Sequence, residues 1–112
     1  MRVKEYAAYD ALGLAELLHH GEVTAGEVYA AAVEAITVVN AKINAVANGP
    51  WERPLEYALD GPFGGVPFVV KDLGCHPQGV PNRMGTRLSG KAMAICDRRR
   101  REVHRKFSAV RL

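Results

Sequence analysis

Serine is scarce in this 112-residue chain: Ser89 and Ser108 are the only two. Cysteine is as rare. Cys75 and Cys96 lie far apart, outside CxxC or Cys/His ligand spacing, which argues against a zinc site and a disulfide framework and leaves reduced thiols as the default. Aromatic residues make up only 7% of the chain, and none is interleaved with its arginine run, so base stacking on nucleic acid has no support. No apolar stretch approaches the ~20 residues of a membrane helix. Glu5 and Asp10 interrupt the N-terminus where a signal peptide would have its apolar region, so a cytoplasmic protein is expected. What is present, 48% apolar and 24% charged residues, fits one small soluble domain. A domain of this size buries roughly 65% of its unfolded surface, enough for a modest core without metal or disulfide staples, and too little for a large enzyme.

The formal net charge of +3 is unevenly placed. Residues 1–97 carry 8 basic and 11 acidic side chains, whereas residues 98–112 carry 7 basic and one acidic. Such a shift marks a nucleic-acid arm, a solvated helix face, or a point where the chain stops resembling what precedes it. Arg98 to Arg101, with Arg105, Lys106 and Arg111, could neutralise phosphates, but a solvated basic segment is the preferred reading.

Helical signals dominate the first forty residues. Asp10 is a plausible N-cap for a helix over Ala11 to His20, in which Leu14, Leu17 and Leu18 share a face and Gly21 sits at the C′ position. Thr24 and Glu27 form a capping box. The helix it opens should run from Ala25 to about Val39, with Val28, Ala31, Ala32, Ala35, Ile36 and Val39 on one face and Asn40 at its end. Ile43, Ala45 and Ala47 then alternate as in a short strand, before a break rich in Gly and Pro that holds Trp51, read as a plug at a core edge. Residues 64–73 are dense in β-branched and aromatic side chains and read as a buried strand, with Pro67 near its start. Residues 74–90 form a loop, and from Ile95 the spacing of Val103, Phe107 and Val110 favours a basic amphipathic helix. His19 and His20 serve the C-terminal dipole of the first helix better than a metal, since no further ligand lies at i+4.

Lys71 asks a chemical question, because a buried strand would deliver its ammonium to the end of a core element. Burial disfavours the charged form, and a neutral amine is a usable general base. From spacing alone the ordinary reading, a lysine that snorkels outward or pairs with Asp72, is preferred. Cys75, close by in the loop, has only the adjacent His76 as a potential activator and reads as inert.

The string Gly65-Val66-Pro67-Phe68-Val69-Val70-Lys71-Asp72-Leu73 resembles the catalytic-lysine strand of the amidase signature family, hydrolases of carboxamide C–N bonds. Upstream, Leu14-Ala15-Glu16-Leu17, Gly21-Glu22-Val23-Thr24, Glu27, Val39-Asn40 and Ile43-Asn44-Ala45 look like that family's opening helix pair and the strand after it. Downstream, Gly79-Val80-Pro81 and Gly85-Thr86 resemble the loop behind the lysine strand, so the likeness covers about residues 9–90. The resemblance implies that Lys71 is the base, taking a proton relayed by a cis-peptide serine from a second, nucleophilic serine, while glycine-rich amides hold the oxyanion. The Gly-Ser-Ser-Gly-Gly and Gly-Gly-Ser motifs that carry those serines do not occur here, and neither Ser89 nor Ser108 stands in for them.

The fold expected on this basis is α/β: N-terminal helices plus the first strands of a mixed sheet, incomplete. Residues 1–94 are assigned to the amidase part and residues 95–112 to a basic, helix-like tail. Glu102-Val103-His104-Arg105-Lys106-Phe107 resembles the family's next helix, whereas Ile95 to Arg101 does not, as a shifted reading frame in a shortened gene would produce. The expected function is that of an amidase fragment, inactive alone, whose parent family takes small-molecule amides without metal or cofactor. Self-association through uncovered sheet edges is expected of such a piece. A non-catalytic interaction module is the alternative, and a basic nucleic-acid-binding peptide comes third.

Overall fold

The computed structural model describes residues 1–47, 60–71, 85–87 and 110–111. Three helices come first: α1 (Val3–Tyr6), α2 (Ala11–His19) and α3 (Ala25–Ile43). Strand β1 (Pro67–Phe68) pairs in parallel with β2 (Val110–Arg111), Pro67 opposite Val110 and Phe68 opposite Arg111. Among the described residues the α/β character thus rests on this one two-residue ladder, far smaller than the mixed sheet expected.

Local hydrogen bonding explains each helix boundary. The Asp10 carboxylate accepts from Gly13 N at 2.8 Å and caps α2, as its sequence signal predicts. At the other end Glu22 N donates to Leu17 O at 3.0 Å and Gly21 N to Leu18 O at 3.1 Å, a complete Schellman motif. That geometry needs a left-handed residue at C′, and Gly21 supplies it at φ +72°. Two residues on, the capping box closes: Glu27 N donates to the Thr24 hydroxyl oxygen at 3.2 Å, and the Glu27 carboxylate accepts from Thr24 N at 2.8 Å. These bonds to the anion hold the Glu27 carboxyl below its usual pKa. Val23 packs against the cluster containing Val28, an N′ to N4 hydrophobic staple.

Helix α3 extends to Ile43, beyond the expected end near Val39. The stop falls at Asn44, which adopts the left-handed conformation (φ 49°, ψ 40°) that asparagine tolerates better than other non-glycine residues. Asn40 stays inside the helix and turns its amide on the departing chain, donating to Val46 O at 2.9 Å and accepting from Val46 N at 2.8 Å. The strand expected over Ile43, Ala45 and Ala47 is therefore replaced by a last helical turn and an irregular exit clasped by one side chain. Helix α1 has no counterpart among the sequence expectations. Its single turn is held by Glu5, whose carboxylate accepts from Arg2 N at 2.8 Å and pairs with the Arg2 guanidinium at 2.8 Å. Those bonds lower the Glu5 pKa.

The core is small. Leu14 and Ala15 from α2, Val28 from α3 and Val66 just before β1 form its buried cluster, with Tyr6, Leu18, Phe63 and Phe68 packed around it. Ala31 and Ala32 continue the buried stripe of α3, against which α1 packs. The helical tail expected from Ile95 lies almost wholly outside the described residues. Of it, Val110 and Arg111 are strand, consistent with a β-branched residue beside a partner strand.

Candidate functional site

Lys71 follows β1, and the residues before it explain where it sits. Phe63, Gly64 and Gly65 make a turn in which Gly64 N donates to Gly61 O at 2.9 Å and Val66 N to Phe63 O at 3.0 Å. Gly65 has φ +86°, and a Cβ there would lie 3.0 Å from Ala25 Cβ and 3.4 Å from a Leu18 methyl. Only glycine lets the turn approach the α2–α3 junction so closely. His19 adds a long contact from α2, its Nε2 being 3.4 Å from Gly61 O. Gly61, Gly64 and Gly65 are themselves buried.

From this anchor the chain emerges through two buried residues, and from Phe68 onward its burial alternates. Val66 and Pro67 are buried, Phe68 and Val70 half-buried, while Val69, 61% accessible, and Lys71 face solvent. The run that read as a buried strand over 64–73 is therefore a turn, a two-residue strand and a half-exposed extension. Lys71 is exposed, not set at the end of a buried core element; side chains alternate across an extended chain, and Lys71 falls on Val69's outward side. The burial that would favour a neutral amine is not found at Lys71 in this structure. Gly85, at φ +66°, and Thr86 are likewise exposed. Asp72, Cys75, His76, the Gly79-Val80-Pro81 string, Ser89, Ser108 and Trp51 lie outside the described residues. The described residues thus contain one member of the expected catalytic set, Lys71, and bring no serine to it.

Depressions mark the described surface. One, a groove of about 350 Å³, runs between the second half of α3 and β1, with Tyr6, Ile36, Val39, Ile43, Phe68 and Val69 among its walls. Burial raises the pKa of the Tyr6 hydroxyl. Another, of about 710 Å³, carries Glu5, Glu22 and Glu27, but Glu5 and Glu27 are committed to backbone donors at helix starts. No group of three or more His, Cys, Asp or Glu side chains among the described residues could hold a metal ion. His20 instead approaches Glu22, Nδ1 to carboxylate, at 3.8 Å. No described helix is long and apolar enough to cross a membrane. The groove escaped sequence reasoning, although one signal pointed to it: Ile36, Val39 and Ile43 carry the apolar spacing of α3 to its last turn, where a solvated helix end would be polar.

Comparison with known proteins connects the chain to hydrolases. Two proteins described as 6-aminohexanoate-cyclic-dimer hydrolase, from Pseudomonas sp. (strain NK87) and from Paenarthrobacter ureafaciens, are each 41% identical to it over 75 residues. The matched region is 65% of this chain and 15% of each of theirs, so the chain spans only a small part of the length of these relatives. No protein-family model matches the chain. No solved structure matches it.

Proposed function

We propose that this chain is the N-terminal part of an amidase-type hydrolase acting on carboxamide C–N bonds. The observation that carries the reading is the 41% identity over 75 residues with two hydrolases. The substrate in their name points the same way: a cyclic dimer of an amino acid is closed by two amide bonds, so its hydrolysis breaks a C–N bond of the kind the lysine-strand resemblance implies. In this reading Lys71 takes the place of the base in a Ser, cis-Ser, Lys relay. It becomes a base only where further chain covers it, since an exposed ammonium is hydrated and a buried one is driven towards the neutral amine. Both serines and the oxyanion donors would come from segments that this chain does not contain, and the chain alone is inactive. The setting is cytoplasmic and the substrate class is small amides.

Translating the nucleotide sequence downstream of the Leu112 codon in all three frames tests this reading. A Gly-Ser-Ser-Gly-Gly motif followed by a Gly-Gly-Ser motif is the expected result, and the absence of both overturns it. The purified chain should give no turnover of a simple carboxamide. Turnover that Lys71→Ala abolishes would show that this chain carries its own nucleophile.

A further inference from the structure

We infer that the exposed second half of α3 is an interface between two copies of this chain. Val38, Val39 and Ile43 are 59%, 47% and 62% accessible on one helix, and Val69 extends the patch across the groove to the end of β1. Val39 and Ile43 continue the stripe that buries Val28, Ala31 and Ala32 about two to four turns earlier, so the helix presents a core face that the described residues leave accessible.

The charges beside this face identify what covers it. Glu34 and Lys42 lie one turn to either side of Val38 along the helix, eight residues apart, too far to pair with each other. Among the described residues neither has an ion-pair partner. Lay a second α3 antiparallel on the first, with the two-fold axis between Val38 and Val39, and the same sequence becomes self-complementary. Glu34 of each copy then lies within one residue's rise of Lys42 of the other, and Ile43 within one of the small Ala35, while Val38 of each copy meets Val39 of the other. A two-fold contact needs such a patch, in which residue i meets j and j meets i. The residues that serve are the exposed valines, the alanine that leaves room for an isoleucine, and two opposite charges on either side of the axis, their distances from it differing by one residue. This inference stands apart from the hydrolase reading and does not use the free sheet edges expected from the sequence.

The test measures the mass of the full chain by sedimentation equilibrium at micromolar concentration, where a dimer in reversible equilibrium with monomer is expected. Lys42→Glu or Glu34→Lys alone sets like charges across both symmetry-related contacts and should weaken the dimer roughly tenfold. The double swap, Glu34→Lys with Lys42→Glu, should restore affinity to within about threefold of the parent. Ile43→Asp should give monomer with an unchanged helical circular-dichroism signal, because Ile43 is solvent-facing within each copy. A chain that stays monomeric throughout overturns the inference and leaves the face to another segment of a longer hydrolase. So does open-ended aggregation, a double swap that fails to restore pairing, or a dimer indifferent to Ile43→Asp.

Discussion

The two halves of α3 obey one hydrophobic period and have opposite fates. In the first, Val28 is fully buried and Ala31 and Ala32 nearly so. In the second, Val39 and Ile43 occupy the same stripe and are 47% and 62% accessible. Periodicity states which side of a helix is apolar; it does not state whether anything covers that side. Cover depends on the rest of the assembly, and here α1, α2 and the turn before β1 reach only the first half.

Truncations should separate the two halves by the largest margin. Val28→Ala removes methyl groups from the centre of the cluster and should cost about 2 kcal/mol, and Leu14→Ala on the facing helix about 3 kcal/mol. Ile43→Ala should cost less than about 0.5 kcal/mol in the monomer, because its side chain gains little from folding. Urea denaturation of the dilute chain checks all three. Equal losses at Val28 and Ile43 would show that the second half is covered within a single copy. Next in size is Gly65→Ala. It sets a Cβ 3.0 Å from Ala25 at φ +86° and should destabilise by about 1–2 kcal/mol, although the position lies far from α3's exposed end. A thermal scan in which that variant matches the parent would remove the turn from the account of why the first half is covered.

The smallest effect concerns pH. The Glu27 carboxyl is held below its ordinary value by the bonds from Thr24, so its pKa is lower folded than unfolded. Its contribution is therefore present above the unfolded value near 4.5 and disappears as pH falls through the folded one. Helical signal should decline on acidification through that window, and Glu27→Gln should flatten its share of the decline. The mutation should leave association through Ile43 unchanged, which separates the capped end of α3 from the exposed one.

The elements legible in the sequence are those whose causes are local. Asp10, Gly21, Thr24 and Glu27 act on residues within a few positions, and the structure places each in its anticipated capping role. The end of α3 was not legible, because Asn40 reads as a helix stop until one sees its amide bonded to Val46 across the Asn44 turn. Nor was α1, a single turn that depends on one carboxylate and on packing against α3. Around the candidate site, the β-branched run correctly placed extended chain near Pro67, but composition alone could not divide it into the Gly65 turn and an outward-facing Lys71. Lys71 was legible as chemistry through family likeness alone; nothing in its surroundings as described singles it out.

The junction between α2 and α3 also bears on the order of folding. Its hydrogen bonds, from the Schellman pair to the Thr24–Glu27 box, join residues no more than five positions apart. Contacts of that kind close quickly, since little chain has to be gathered first. The ladder of Pro67 and Phe68 with Val110 and Arg111 must instead await closure of everything between residues 69 and 109. The helical hairpin is thus built to form early and wait, with its open flank available to the first complementary surface that diffuses near.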